Sequence, residues 1–254
     1  MDWLLLRGLA RERRHWYDFP SCFKERLGVK RVELLDVAGV GTECARAPRP
    51  SAQWLARDLA RRVEALEPPD SGAWSVLGVS LGGMLALELC RLMPKQVLHA
   101  IVINASSRIS FPHQRMRPRA ASALARIALL PPGTGREEAV LALTAHLSTA
   151  ARRAHAERAA SFARDAPMRS WAVTCQLVAA LRFTPPRPRD VRARLLFLCS
   201  RRDALVAPSC SWALAARYSA ECQEHPWAGH DLALDDPNWL MARVSQFATN
   251  GGIR

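Results

Sequence analysis

Trp74-Ser75-Val76-Leu77-Gly78-Val79 runs directly into Ser80-Leu81-Gly82-Gly83-Met84-Leu85. The first six residues are almost all apolar and of strand length, which suits a strand buried on both faces of a parallel sheet. From Leu81 to Met93 an apolar helical pattern carries Met84, Leu85 and Leu89, and Pro94 closes it. Between the two lies Gly-x-Ser-x-Gly, a serine on a strand-to-helix turn. Such a turn strains the backbone of its central residue, so the neighbours must lack side chains. Gly78 and Gly82 clear the space around Ser80, and Gly83 lets the helix approach the sheet.

Outward from this turn the same alternation repeats. Trp3–Leu6, Val32–Val37, Ala100–Asn104 and Leu195–Cys199 are short apolar runs with little alternation. Between them, Ala52–Leu66 places Leu55, Leu59, Val63 and Leu66 on one helical face before Pro68-Pro69. Further helices are expected over Ser211–Tyr218 and Pro237–Phe247, where Asp235-Asp236-Pro237 looks like a helix start. The pattern predicts an α/β fold, a mostly parallel sheet of about six strands with helices on both faces. The alternation stops from about Ser107 to Pro188, a stretch rich in Ala and Arg, helical in period and without a strand pattern. A helical insertion over 107–188, within a core formed by 1–106 and 189–254, is the economical reading.

Composition sets the outer limits. The chain has 254 residues, 49% hydrophobic, with 36 Lys+Arg against 23 Asp+Glu and a formal net charge of +13. Only Lys24, Lys30 and Lys95 are lysines, so the excess is arginine. No zinc-ligand spacing, lysine-rich tail or aromatic-interleaved basic motif accompanies it, and nucleic acid is not the expected partner. Residues 107–190 hold 14 arginines and five acids, so +9 of the +13 lies on or beside the insertion. A genome biased to arginine explains that count, and so does an acidic partner, either an acyl-carrier protein or an anionic lipid surface. No apolar run reaches the ~20 residues of a membrane span, and Asp2 stands where a signal peptide wants bases. A cytoplasmic protein is expected, with its seven cysteines reduced and Cys90 and Cys199 packed in the core.

A serine hydroxyl needs a base, and the base needs an orienting acid. The base candidate is His230, in Trp227-Ala228-Gly229-His230-Asp231-Leu232. Its rivals are His15, His99, His113, His146, His155 and His225: His99 opens a strand, His146 and His155 fall on expected surface helices, and His225 precedes a proline. The acid candidate is Asp203, a few residues beyond the Leu195–Cys199 strand, where open parallel sheets carry functional groups. Taken alone, Asp203 reads equally as a loop acid paired with Arg201 or Arg202. Asp231, Asp235 and Asp236 follow His230 too closely to reach its far ring nitrogen easily. Oxyanion donors are expected from the backbone amides of Leu81 and of Leu9, which follows Gly8 in the loop after the first strand.

Together these residues resemble the α/β-hydrolase superfamily over nearly the whole chain. Arg7-Gly8-Leu9 stands where the family usually has His-Gly, and Leu35-Asp36-Val37-Ala38-Gly39-Val40-Gly41 resembles its Asp-x-Pro-Gly-x-Gly segment. Ser80 matches the nucleophile elbow, Asp203 the acid loop and Gly229-His230 the base loop. Gly-x-Ser-x-Gly-Gly with a helical insert looks most like carboxylesterases near the pimeloyl-[acyl-carrier protein] methyl ester esterases. The resemblance implies an α/β-hydrolase fold with a helical lid and a Ser80–His230–Asp203 triad cleaving a carboxylic ester or thioester. It implies no metal or organic cofactor.

Two departures stand out. The sheet starts at residue 3, without the family's first two strands, and Arg7 replaces the usual His. Arg7 is either a cation at the pocket mouth that binds an acidic acyl group or a salt-bridged residue below the loop. Trp16, further along the same loop, is a second candidate for substrate contact. A catalytically silent binding protein of this fold is the alternative, opposed by the joint presence of Ser80, Asp203 and His230.

Overall fold

The computed structural model describes residues 2–249. Six strands, β1 (Asp2–Leu6), β2 (Arg31–Leu35), β3 (Trp74–Val79), β4 (Val97–Ile103), β5 (Arg194–Ser200) and β6 (Glu221–His225), form one sheet in the order β2-β1-β3-β4-β5-β6. Every neighbouring pair is parallel, so the sheet is wholly rather than mostly parallel. β4 starts three residues earlier than its apolar run, because Val97 and His99 pair with Trp74 and Ser75 of β3 across a register shift at Leu98. His99 therefore lies inside the strand rather than opening it.

Helices α1 (Phe19–Leu27), α2 (Ala52–Glu64) and α3 (Leu81–Leu92) fill the crossovers of the first half. Ser51 caps α2, accepting the Trp54 amide at 3.3 Å, as short hydroxyl side chains do at helix starts. Five helices then follow β4 without an intervening strand: α4 (Pro112–Arg115), α5 (Pro118–Ala128), α6 (Thr134–Thr144), α7 (Thr149–Asp165) and α8 (Ser170–Arg182). The second half adds α9 (Ser209–Tyr218), the single turn α10 (Leu232–Asp235) and α11 (Pro237–Thr249). Asp236 accepts the Trp239 amide at 2.9 Å, so it opens α11, with α10 an unforeseen turn before it.

Strand side chains alternate between two apolar layers. Leu4, Leu6, Val76, Ala100, Val102 and Phe197 pack with α2, α3, α8 and α9 on one face. Trp3, Leu5, Leu77, Val79, Ile101 and Leu198 pack with α1 and α11 on the other. Burial on both faces explains the unbroken apolar runs of the central strands. Cys90 and Cys199 lie wholly within this packing, and burial pushes the Cys90 thiol up to about 12. None of the described helices is long and apolar enough to cross a membrane.

The helices between β4 and β5 are fastened to the segment that follows β1. Arg11 pairs with Glu137 of α6 at 2.6 Å, Arg14 with Asp165 of α7 at 2.7 Å, and Asp18 with Arg158 of α7 at 3.3 Å. Gln176 of α8, fully buried, accepts the Ala10 amide at 3.0 Å and donates to the Ala38 carbonyl at 3.3 Å. His146 lies in the turn between α6 and α7 rather than on a helix, and its amide donates to Asp235 at 2.6 Å.

Candidate active site

Ser80 sits between β3 and α3 with φ 57 and ψ −118, a backbone shape that non-glycine residues adopt only under constraint. The constraint is visible in its neighbours. A Cβ on Gly78 would lie 2.2 Å from the Gly82 carbonyl oxygen, and one on Gly82 would lie 2.3 Å from that of Leu6. Neither position admits a side chain, so the two flanking glycines are required sterically. A Cβ on Gly83 would meet Val102 at 2.9 Å and Ala105 at 3.2 Å, which accounts for the close seating of α3 on the sheet.

The loop after β1 passes directly over this turn: a Cβ on Gly8 would stand 3.1 Å from that of Ser80. Among the described residues, the backbone amides of Leu9 and Leu81 donate to no backbone acceptor. Leu81 is the first residue of α3, where amides lack intrahelical partners and the helix dipole presents its positive end.

His230 and Asp203 meet as the chain order suggested. His230 Nδ1 is 2.7 Å from Asp203 Oδ2, with both side chains buried. The other Asp203 oxygen accepts the amides of Leu205 and Val206 at 2.7 and 2.9 Å, fixing the carboxylate so that one oxygen faces the ring. Arg201 pairs with Glu224 instead of Asp203. Burial disfavours the imidazolium of His230, but the charge of Asp203 and its hydrogen bond outweigh this, with Asp231 adding to them. The His230 pKa is therefore raised above the ordinary imidazole value.

Asn104, which no motif marks, holds the pieces in place. It leaves β4 with φ 49 and is buried. Its Nδ2 donates to the carbonyls of His230 at 2.9 Å and Gly229 at 3.3 Å and to Ser200 Oγ at 3.0 Å, while its Oδ1 accepts the Ser200 amide at 2.9 Å. The preceding residue, Ile103, accepts the Ser80 amide at 2.8 Å. Adjacent residues at the exit of β4 thus carry the serine turn on one side and the histidine loop on the other. The Gly229 amide also donates to Asp235 at 2.6 Å, and His225, buried at the end of β6, accepts the Ala228 amide at 2.9 Å.

Arg7 and Trp16 are not placed as substrate contacts at a pocket mouth. Arg7 is buried and donates to both carboxylate oxygens of Asp231, at 3.1 and 2.5 Å. Its guanidinium also lies 4.7 Å over the Trp16 ring. Trp16 is 2% exposed and stacks on Phe19 within the core. Of the two readings of Arg7, the salt-bridged one matches the geometry. Asp231, set aside for its closeness to His230 in sequence, is the partner. The Asp36 segment is also built around a carboxylate: Asp36 accepts the amides of Arg13 and Thr42 at 2.6 and 2.9 Å. Among the described residues no group of three or more His, Cys, Asp or Glu is placed to hold a metal ion.

Comparison with known proteins gives a family and a fold. The profile described as "Alpha/beta hydrolase family" matches residues 3–243. No curated protein matches the sequence. Among solved structures, a putative non-heme bromoperoxidase, BpoC, from Mycobacterium tuberculosis H37Rv is 21% identical, with a TM-score of 0.74, over 98% of this chain and 92% of that one. A thermophilic esterase from Thermogutta terrifontis is 20% identical, with a TM-score of 0.67, over 98% and 90%. The enol-lactonase from Burkholderia xenovorans LB400 is 18% identical, with a TM-score of 0.71, over 98% and 91%.

Proposed function

The chain belongs to the Alpha/beta hydrolase family, and within it we propose a serine hydrolase that cleaves a carboxylic ester or thioester through an acyl-enzyme. The observation that carries the reading is the backbone of Ser80, held at φ 57 and ψ −118 between two glycines that admit no side chain. That shape lifts a hydroxyl off the end of a strand and puts it beside a helix N-terminus, an arrangement suited to a nucleophile. In this reading His230 takes the Ser80 proton as the hydroxyl attacks the acyl carbon, then returns it to the departing alcohol or thiol. Asp203 keeps the ring oriented and stabilises its protonated form. The amides of Leu9 and Leu81 receive the oxyanion. Water repeats the sequence on the acyl-enzyme, releasing the acid and restoring Ser80. The helices α4–α8 act as a lid; their fastening to the 7–18 segment supports this, since that segment carries the Leu9 amide.

The test is Ser80→Ala against a series of p-nitrophenyl esters and thioesters of increasing acyl length, with a fluorophosphonate probe on the unaltered protein. Turnover is expected to disappear in the variant while the circular dichroism spectrum is kept, and the probe is expected on Ser80. Full activity in Ser80→Ala would reject the mechanism.

A further inference from the structure

We propose that Arg7 and Asp231 form a positioning pair that ties the oxyanion loop to the base loop and tunes His230, a role that rests on the triad reading above. The placement is the argument. Arg7 immediately precedes Gly8, whose backbone covers Ser80, and Leu9. Asp231 immediately follows His230. The two residues are 224 positions apart, yet two hydrogen bonds of 3.1 and 2.5 Å join them, with side-chain exposures of 5% and 9%. A bidentate guanidinium–carboxylate contact fixes orientation as well as distance. One clamp therefore holds the amide that would receive the oxyanion in register with the imidazole that would receive the proton. Trp16 under the guanidinium closes the clamp from below.

The pair also places opposite charges beside the base. The groups around His230 come from several elements. Asp203 from the loop after β5, Asp231 from its own loop and Arg7 from the loop after β1 act on His230 itself, while Arg11, paired with Glu137, acts on Asp231, and Asp231 in turn acts on His155 and Asp235. Of the pair, Asp231 favours the protonated ring and Arg7 opposes it. Removing either charge alone must therefore move the His230 titration in opposite directions. That split reads the charges, and the kcat of a variant that keeps the charge but loses the fork reads the clamp.

The experiment follows His230 by NMR of its imidazole and by the acid limb of kcat/KM in three variants. Asp231→Asn is expected to move the midpoint to lower pH and Arg7→Met to higher pH. Arg7→Lys, which keeps the charge but loses the fork, is expected to leave the midpoint in place and lower kcat by about 100-fold, the scale of a small misplacement of reacting groups. Midpoints in Asp231→Asn and Arg7→Met that coincide with that of the unaltered protein, or that move the same way, overturn the tuning, and an unchanged kcat in Arg7→Lys overturns the clamp. Should a single variant fail to fold, the paired Arg7→Met/Asp231→Leu variant replaces the ion pair by apolar groups, a change buried pairs often tolerate. It is expected to fold and to lose kcat as Arg7→Lys does, and unchanged kcat would equally overturn the clamp. NMR midpoints that split while the kinetic limb stays fixed would uphold the tuning and reject His230 as the base, separating the two conclusions.

Discussion

Asn104 shows how much one side chain can hold. It is the residue through which β4, the end of β5 and the histidine loop are joined, using both ends of its amide. Replacing it with Ala leaves the Ser200 amide and the Gly229 and His230 carbonyls without this partner. Each buried group so stranded costs about 1–3 kcal/mol. Asn104→Ala is accordingly expected to lose on the order of 3 kcal/mol in urea unfolding, and to lower kcat more than it raises KM, because the base loop loosens. Asp203 gives a second test at the same site. Its charge and hydrogen bond are what lift the His230 pKa against burial. In the proposed mechanism His230 must be neutral to take the Ser80 proton, so activity is expected to fall as the pH drops through that raised value. In Asp203→Asn burial is no longer outweighed, so the limb should move to lower pH while kcat falls by about 10⁴-fold, the scale seen when a triad acid is neutralised. A limb that stays in place would show that Asp203 does not tune His230.

Among the elements, α8 links the insertion to the sheet. A Cβ on Gly39 would lie 2.8 Å from that of Ala172, so α8 rests directly on the loop after β2, and Gln176 one turn on bonds to both Ala10 and Ala38. Gln176→Leu is expected to cost about 1–3 kcal/mol, because the buried Ala38 carbonyl and the half-buried Ala10 amide lose their partner. It should also speed hydrogen exchange at the Ala10 amide, and unchanged exchange there would show that α8 does not hold the loop. Strands β1 to β5, and α2 and α3, were legible from sequence because burial on one or both faces writes itself into local periodicity, whereas β6, Glu-Cys-Gln-Glu-His at the sheet edge, is mostly half-buried and has no apolar run. The Ser80 turn was legible because its sterics depend on residues two positions away, Gly78 and Gly82. Asp203 was legible only in company, since its neighbours Arg201 and Arg202 offered a simpler partner. The Arg7–Asp231 contact, the bonds of Asn104 and the fastening by Gln176 had no such signature. Each joins residues brought together by the sheet order alone, and nothing in their local spacing records it.

The titrating groups of the folded chain pull stability in both directions as pH falls, and their signs can be assigned. Burial, with Arg11 and Arg7 nearby, holds His15 well below the ordinary imidazole value, and its Nδ1 accepts the Glu12 amide at 3.1 Å. Burial also lowers His99 and His155. Groups of this kind bind fewer protons folded than unfolded, so the stability they confer is full above the unfolded value and is lost as pH falls from there through the lowered folded value. His230, with its raised pKa, works the other way: its contribution is present at low pH and lost as pH rises through its folded value. Burial raises Asp36, Glu88 and Asp235, which likewise favour the folded state as pH falls. These opposing sets make the total curve a poor test of any one group, whereas the difference between two proteins is a clean one. His15→Gln keeps an acceptor for the Glu12 amide and removes the titration. Between pH 7 and 5 the unaltered protein should lose stability relative to His15→Gln, with a limiting slope of about 1.4 kcal/mol per pH unit for one proton. Urea unfolding at half-unit steps measures that difference, and a gap independent of pH would mean that His15 takes up its proton in the folded chain as readily as in the unfolded one.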